Sequence, residues 1–145
     1  MLVSQILSAK AVGGVQTIKP STTVSDAASE LSTKRIGALV VSDDGKVAAG
    51  ILSERDIVRE LGKRGPVCMS DTVADLMTKN PVTCAPDDTA DAVLAKMTEG
   101  RFRHLPVVEN GSMTGLISIG DVVKARLSEL AMEKDALEGM IMGHG

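Results

Sequence analysis

Apolar residues fall along this chain in two alternating rhythms. Short continuous runs suit buried strands, and spacings of three and four residues suit helices. Residues 15–18 read as a short strand stopped by Pro20. Thr23 then opens a helix with Val24, Ala27, Ala28 and Leu31 on one face. Residues 38–41 form an apolar strand, Asp43-Asp44-Gly45 a hairpin turn, and residues 47–52 the returning strand. Ser53 starts a second helix carrying Ile57, Val58 and Leu61. The order then recurs: a strand at 82–85, a helix over Val93, Leu94 and Met97, a strand at 105–108, an Asn110-Gly111 turn, a strand at 113–117, and a helix from Ser118. Upstream of each set, Val3, Ile6 and Leu7 match Val73, Leu76 and Met77 as a leading amphipathic helix for each half.

The recurrence is nearly residue by residue. Pro20, Thr23, Leu31, Leu39, Val41 and Gly45 reappear as Pro86, Thr89, Met97, Leu105, Val107 and Gly111, 66 positions later. One extra residue in the first hairpin then shortens the offset to 65, the kind of slip that surface turns tolerate. A fixed period marks a duplicated supersecondary unit. The fold class is therefore α/β, of the α+β kind: two β-α-β-β-α units joined by GKRGP at 62–66. Helices cover one face of each sheet, so the two halves bury their other faces together. Units of roughly 60 residues fold poorly alone. The expected divisions are 1–66, 67–128 and a helical extension over 129–145.

Composition narrows the function. Apolar residues make up 43% of the chain and aromatics 1%, so the core is aliphatic and Phe102 stands alone. A net charge of −3 with no Trp or Tyr gives neither the field nor the stacking platforms for nucleic acid. No apolar run approaches the roughly 18 residues that span a bilayer. The first ten residues lack the pattern of a secretory signal. Cys68 and Cys84 are too few for a disulfide framework, so the expected location is a reducing cytoplasm. Cys84 reads as a buried structural thiol and Cys68 as part of the connector. Catalytic arrangements are missing: there is no H-E-x-x-H, C-x-x-C or phosphate-cradling glycine loop, and His144 lies in a loose GHG end.

One polar motif repeats. GILSERD at 50–56 and GLISIGD at 115–121 share a glycine, an apolar pair, a serine and an aspartate. Ser53 with Asp56, and Ser118 with Asp121, have the spacing of a helix capping box, which alone would explain them. The glycine three residues before each serine adds a demand for close backbone approach. The junction of strand end and helix start also presents free amides to a polar ligand.

With these motifs and the LPVV run at 105–108, the chain resembles a pair of CBS domains, the Bateman module, over about residues 1–127. The resemblance implies a regulatory sensor of adenosine-containing ligands such as AMP, ADP, ATP, NAD(H) or S-adenosylmethionine, with no catalytic cofactor. It also implies assembly into flat, disc-like dimers. By resemblance, Asp56 and Asp121 each accept hydrogen bonds from a ribose diol, and Ser53 and Ser118 line the same pockets. Thr17, Ile18 and Val82 match positions that hold the adenine, and Ile36, Gly37, Leu105 and Pro106 form the adjoining wall.

The two copies differ. Arg55 stands beside Asp56, and the resemblance implies that Arg101, Arg103 and His104 of the second half face the phosphate position of this first site. At the second site Gly120 replaces Arg55, and Gly37 with Ala38 replaces Arg103 with His104, leaving Lys34 and Arg35 as partial substitutes. The expectation is one strong nucleotide site on Asp56 and a weaker or adenosine-only site at Asp121. Against it stand plainer readings. Arg101 and Arg103 could be a solvated helix end, His104 a core-edge histidine, and Arg55 a surface partner of Glu54 or Glu60.

From Val122 to about Met142 the last helix continues beyond the repeat, with Val123, Leu127, Leu130, Leu137 and Ile141 at helical spacings. Such a stripe packs on its own body, on a second copy or on another partner. Two functions compete: an energy-sensing module that regulates an unidentified protein in trans, and a ligand-free structural or oligomerisation adaptor whose motifs are only caps.

Overall fold

The computed structural model describes residues 1–10 and 15–141. His144 and Met142 lie outside the described residues. The first half builds a four-stranded sheet in the order β1-β2-β3-β4, from Thr17–Ile18, Ala38–Val41, Gly50–Ser53 and Thr78–Lys79. Strand β1 runs parallel to β2, and β2, β3 and β4 are antiparallel neighbours. Helices α2 (Val24–Lys34) and α3 (Glu54–Arg64) belong to this half. The second half pairs β5 (His104–Glu109) with β6 (Ser112–Ser118), and carries α5 (Ala90–Gly100) and α6 (Ile119–Ile141). Short helices α1 (Val3–Ser8) and α4 (Val73–Leu76) precede the two sets, and a 3-10 helix over Gly65–Ser70 extends the connector.

Three expected strands come out shorter: β1 keeps only Thr17–Ile18 of the expected 15–18, and the other two shorten for local reasons. The Asp44 side chain accepts hydrogen bonds from the amides of Lys46 and Val47, which withdraws them from a ladder, so β3 begins only at Gly50. At 82–85 a single parallel bridge joins Cys84 to Val107. Pro81 and Pro86 flank this stretch, and the Ala85 amide is already bonded to the Asp88 carboxylate at 2.8 Å. The unforeseen β4 fills the edge of the first sheet from the linker.

The leading helices do not pack on the halves that follow them. Val3 and Ile6 of α1 enter the core of the second half, with Val93, Met97, Leu105, Val107, Ile117 and Val122. Val73 of α4, with Leu76 and Met77 beside it, joins the first core around Val24, Leu31, Leu39, Leu52 and Ile57. Backbone bonds repeat the exchange in register. Val3 and Ser4 donate to Asp88 and Pro86, while Val73 and Ala74 donate to Thr22 and Pro20. Each half is completed by the segment that precedes the other.

Ala38, Val40 and Ile51 point away from their helix-covered core and are nonetheless buried, as face-to-face packing of the sheets requires. The Met113 amide bonds the Lys46 carbonyl at 2.8 Å and ties the two hairpins together. Of the apolar positions expected on α3, Ile57 is buried, but Val58 and Leu61 face outward, 66% and 37% exposed.

Candidate functional site

Both repeated motifs end a strand and cap a helix. The Ser53 hydroxyl accepts the Asp56 amide at 3.3 Å, and the Asp56 carboxylate accepts the Ser53 amide at 2.9 Å. Ser118 and Asp121 repeat this at 3.1 and 2.9 Å. The capping box is therefore real in both copies, and it engages one carboxylate oxygen, Oδ2. Among the described residues, Oδ1 of Asp56 is paired with the Arg59 guanidinium alone, at 3.5 Å.

The motif glycines show why no side chain fits there. A Cβ on Gly50 would stand 2.6 Å from the Met77 sulfur and 2.7 Å from the Thr78 carbonyl. One on Gly115 would stand 2.6 Å from the Leu7 Cδ1. In each copy the glycine admits the leading segment that has crossed from the other half.

Two cavities open between the halves, of about 580 and 590 Å³. The first is built on Asp56, and Ser53, Arg55, Val82, Arg101, Arg103, His104, Gly37 and Ser118 also line it. It collects four arginines, since Arg59 joins the three foreseen, against the carboxylates of Asp56 and Glu54. Asp56 itself is only 7% exposed. Arg55 does not pair with Glu60, which is bound to Arg64 at 2.8 Å. Arg101 ends α5 in the left-handed conformation, with φ 58°, as Arg35 ends α2 with φ 53°.

The second cavity is built on Asp121 and Ser118, with Ile36, Gly37, Ala38, His104 and Leu116 on its walls. Its cations are not the anticipated Lys34 and Arg35. Lys34 instead bonds Gln16 at 2.8 Å and lies 3.7 Å from Glu30. The cations here are Lys10 and Lys124. The Lys10 ammonium lies 3.0 Å from the Asp121 carboxylate and donates to the Leu116 carbonyl at 2.9 Å. Burial by itself would raise the Asp121 carboxyl, but the Ser118 amide and Lys10 outweigh it and hold the group below its ordinary value. Lys124 stands where Arg59 stands in the first copy, which the 65-residue offset could have revealed. Lys10 had no such signal, because the crossing of α1 is a tertiary event.

Four foreseen site residues stay off both cavities: Thr17 and Ile18, expected to hold the adenine, and Leu105 and Pro106, expected in the wall. Ile18 and Leu105 point into the helix-covered cores, Pro106 is buried in β5, and Thr17 lies on β1 with neither cavity reaching it. Strands alternate their faces, so within the pair His104-Leu105 only the histidine reaches the space between the sheets. His104, Gly37 and Ser118 line both cavities and form their common wall. Burial lowers the His104 pKa, with Asp121 pulling the other way.

The model of the CBS domain matches residues 3–63 and again 73–128. The chain belongs to the CBS-domain family. A CBS-domain containing protein of Agrobacterium tumefaciens has a solved structure with TM-score 0.82 and 44% identity, covering 87% of this chain and 99% of that one. The CBS domain-containing protein CBSCBSPB2 of Arabidopsis thaliana is 36% identical over 85% of this chain, which spans 23% of that relative's length. Two further CBS structures hold ligands. One is CBSX2 in complex with AMP, 31% identical with TM-score 0.70 over 88% of this chain and 96% of that one. The other is the CBS pair of MJ0100 with 5′-methylthioadenosine and S-adenosyl-L-methionine, 25% identical with TM-score 0.77 over 89% and 98%.

Proposed function

We propose that this CBS pair is a non-catalytic sensor that binds an adenosine-containing ligand at Asp56 and regulates a separate protein in trans. The observation that carries the reading is the Asp56 cavity. A nearly buried carboxylate keeps one oxygen free of its helix cap, and four arginines drawn from both halves surround it. An ionised carboxylate accepts two hydroxyl donors, as a ribose diol requires. The arginines supply planar forks for phosphate. AMP, ATP and NAD(H) share this chemistry, and the AMP bound by CBSX2 supports the choice. The Asp121 cavity, with two lysines and one of them spent on the aspartate, is the weaker or adenosine-only site. We place the protein in the cytoplasm, where the free thiols of Cys68 and Cys84 persist. We read it as a homodimer, because Val58, Val123 and Leu127 leave apolar surface uncovered on α3 and α6.

A thermal-shift panel of AMP, ATP, NADH and adenosine tests the sensor. A ligand at about 100 times its Kd adds about 2.7 kcal/mol to the folded state. Asp56→Ala abolishes the shift from AMP, and Asp121→Ala leaves most of it. The reverse ranking would refute the asymmetry. The completed capping boxes favour a second reading, a ligand-free adaptor, and no shift from any of the four at millimolar concentration would favour it over the sensor.

A further inference from the structure

Helix α6 carries a pattern that its own domain does not use. Val122 and Ala125 are its buried residues, and residues 130–138 are exposed without exception. A helical projection of this length is marginal in water unless something covers it. Along it Val123, Leu127, Leu130, Lys134, Leu137 and Ile141 succeed one another at intervals alternating between four and three residues. Over each complete pair of heptads, 123–137 and 127–141, the spacing averages 3.5, the period of a two-helix seam and narrower than the stripe of a helix packed on its own body. The apolar members are 43%, 62%, 50%, 59% and 83% exposed in that order. At 1.5 Å per residue the seam runs about 27 Å.

Resting on the homodimer reading, we infer that this seam is covered by α6 of a second copy, running antiparallel. The direction follows from the charges. In a parallel pair Lys134 would meet its own copy within the seam, and Glu133 would flank Glu138 of the partner subunit. Run antiparallel, Val123 meets Ile141 of the partner subunit, Leu127 its Leu137, and Lys134 its Leu130. The lysine stem then covers a leucine while the ammonium reaches water. The same register sets Lys124 beside Glu138 of the partner subunit on both flanks, and leaves one like pair, Glu133 with its copy. Because Lys124 also lines the Asp121 cavity, the partner subunit places a carboxylate at that cavity's rim.

Sedimentation of the full chain, with and without Leu130→Glu/Leu137→Glu, tests the pairing. Both residues are at least half exposed, so the thermal midpoint of the domains serves as the folding control. The wild type should be a dimer, and the double variant at least 100-fold weaker in self-association. Direction is read by oxidation. Leu127→Cys/Leu137→Cys should link two chains, while either single variant should not, since Cys68 and Cys84 are buried. Linkage by a single variant would mean a parallel pair and overturn the inference. A dimer indifferent to the glutamates would overturn it while leaving the homodimer intact. A wild-type monomer would overturn both.

Discussion

Asp56 and Asp121 occupy the same place in the repeat yet meet different neighbours. Asp56 faces arginines, with Arg59 3.5 Å away, whereas Asp121 is already paired with Lys10 at 3.0 Å. A ribose arriving at Asp121 must share or displace that ammonium. Lys10→Met should therefore tighten adenosine at this cavity several-fold and leave AMP at Asp56 unchanged, as read by calorimetric titration of the Asp56→Ala and wild-type backgrounds. Weaker adenosine binding would instead make Lys10 a ligand contact. His104, on the wall between the cavities, adds a pH dependence. Burial lowers its folded pKa, so below its ordinary value of 6.5 the unfolded chain binds the proton first. Stability should fall as pH drops below 6.5, and His104→Gln should flatten that part of the curve in urea titrations. Asp121, also lowered, contributes stability above its ordinary value of 3.8 that is lost only at lower pH, so the two windows separate.

The elements show where pattern was enough and where it was not. The helix starting at Thr23, the strand at 38–41 and the capped start of α3 match their expectations because each rests on local chemistry: a cap, a β-branched run, a turn. The strand at 47–52 lost its first residues because the Asp44 carboxylate competes for the same amides. Strand β4 went unforeseen because two residues paired by a sheet edge have no periodicity to read. The motif glycine, by contrast, was legible, and the structure supplies its obstacle. Gly50→Ala meets backbone at the Thr78 carbonyl and should cost about 1–3 kcal/mol. Gly115→Ala meets the end of the Leu7 side chain, which can rotate away, and should cost less. Paired denaturant melts would compare them. At the end of α2, Arg35 holds a left-handed conformation that suits glycine, so Arg35→Gly should stabilise the chain by about 1 kcal/mol. An unchanged midpoint would show that its side chain is otherwise useful.

For the whole molecule the exchange of leading helices matters most. Val3 and Ile6 belong to the second core, so damage at the start of the chain is felt in its later half. Ile6→Ala should cost about 2–5 kcal/mol. Hydrogen exchange should quicken in β5 and β6 before it quickens in β2 and β3; the opposite order would contradict the packing. The exchange also explains the cavities. Each aspartate is capped by its own half but walled by residues that cross over: Thr78 and Pro81 near Asp56, Lys10 near Asp121.

The sequence by itself determined the duplication, the order of elements and the two serine-aspartate caps. All of these are written in spacing, and spacing survives without coordinates; the gathering of arginines from both halves at Asp56 was expected only from the family resemblance. Only the tertiary structure decided that α1 and α4 change places, that Lys10 holds Asp121, and that Leu105 turns into a core while His104 turns into the space between the sheets. Those outcomes depend on which surfaces meet after the elements have formed. A lysine sees an aspartate 111 positions away only when two half-cores close on each other's leading segments.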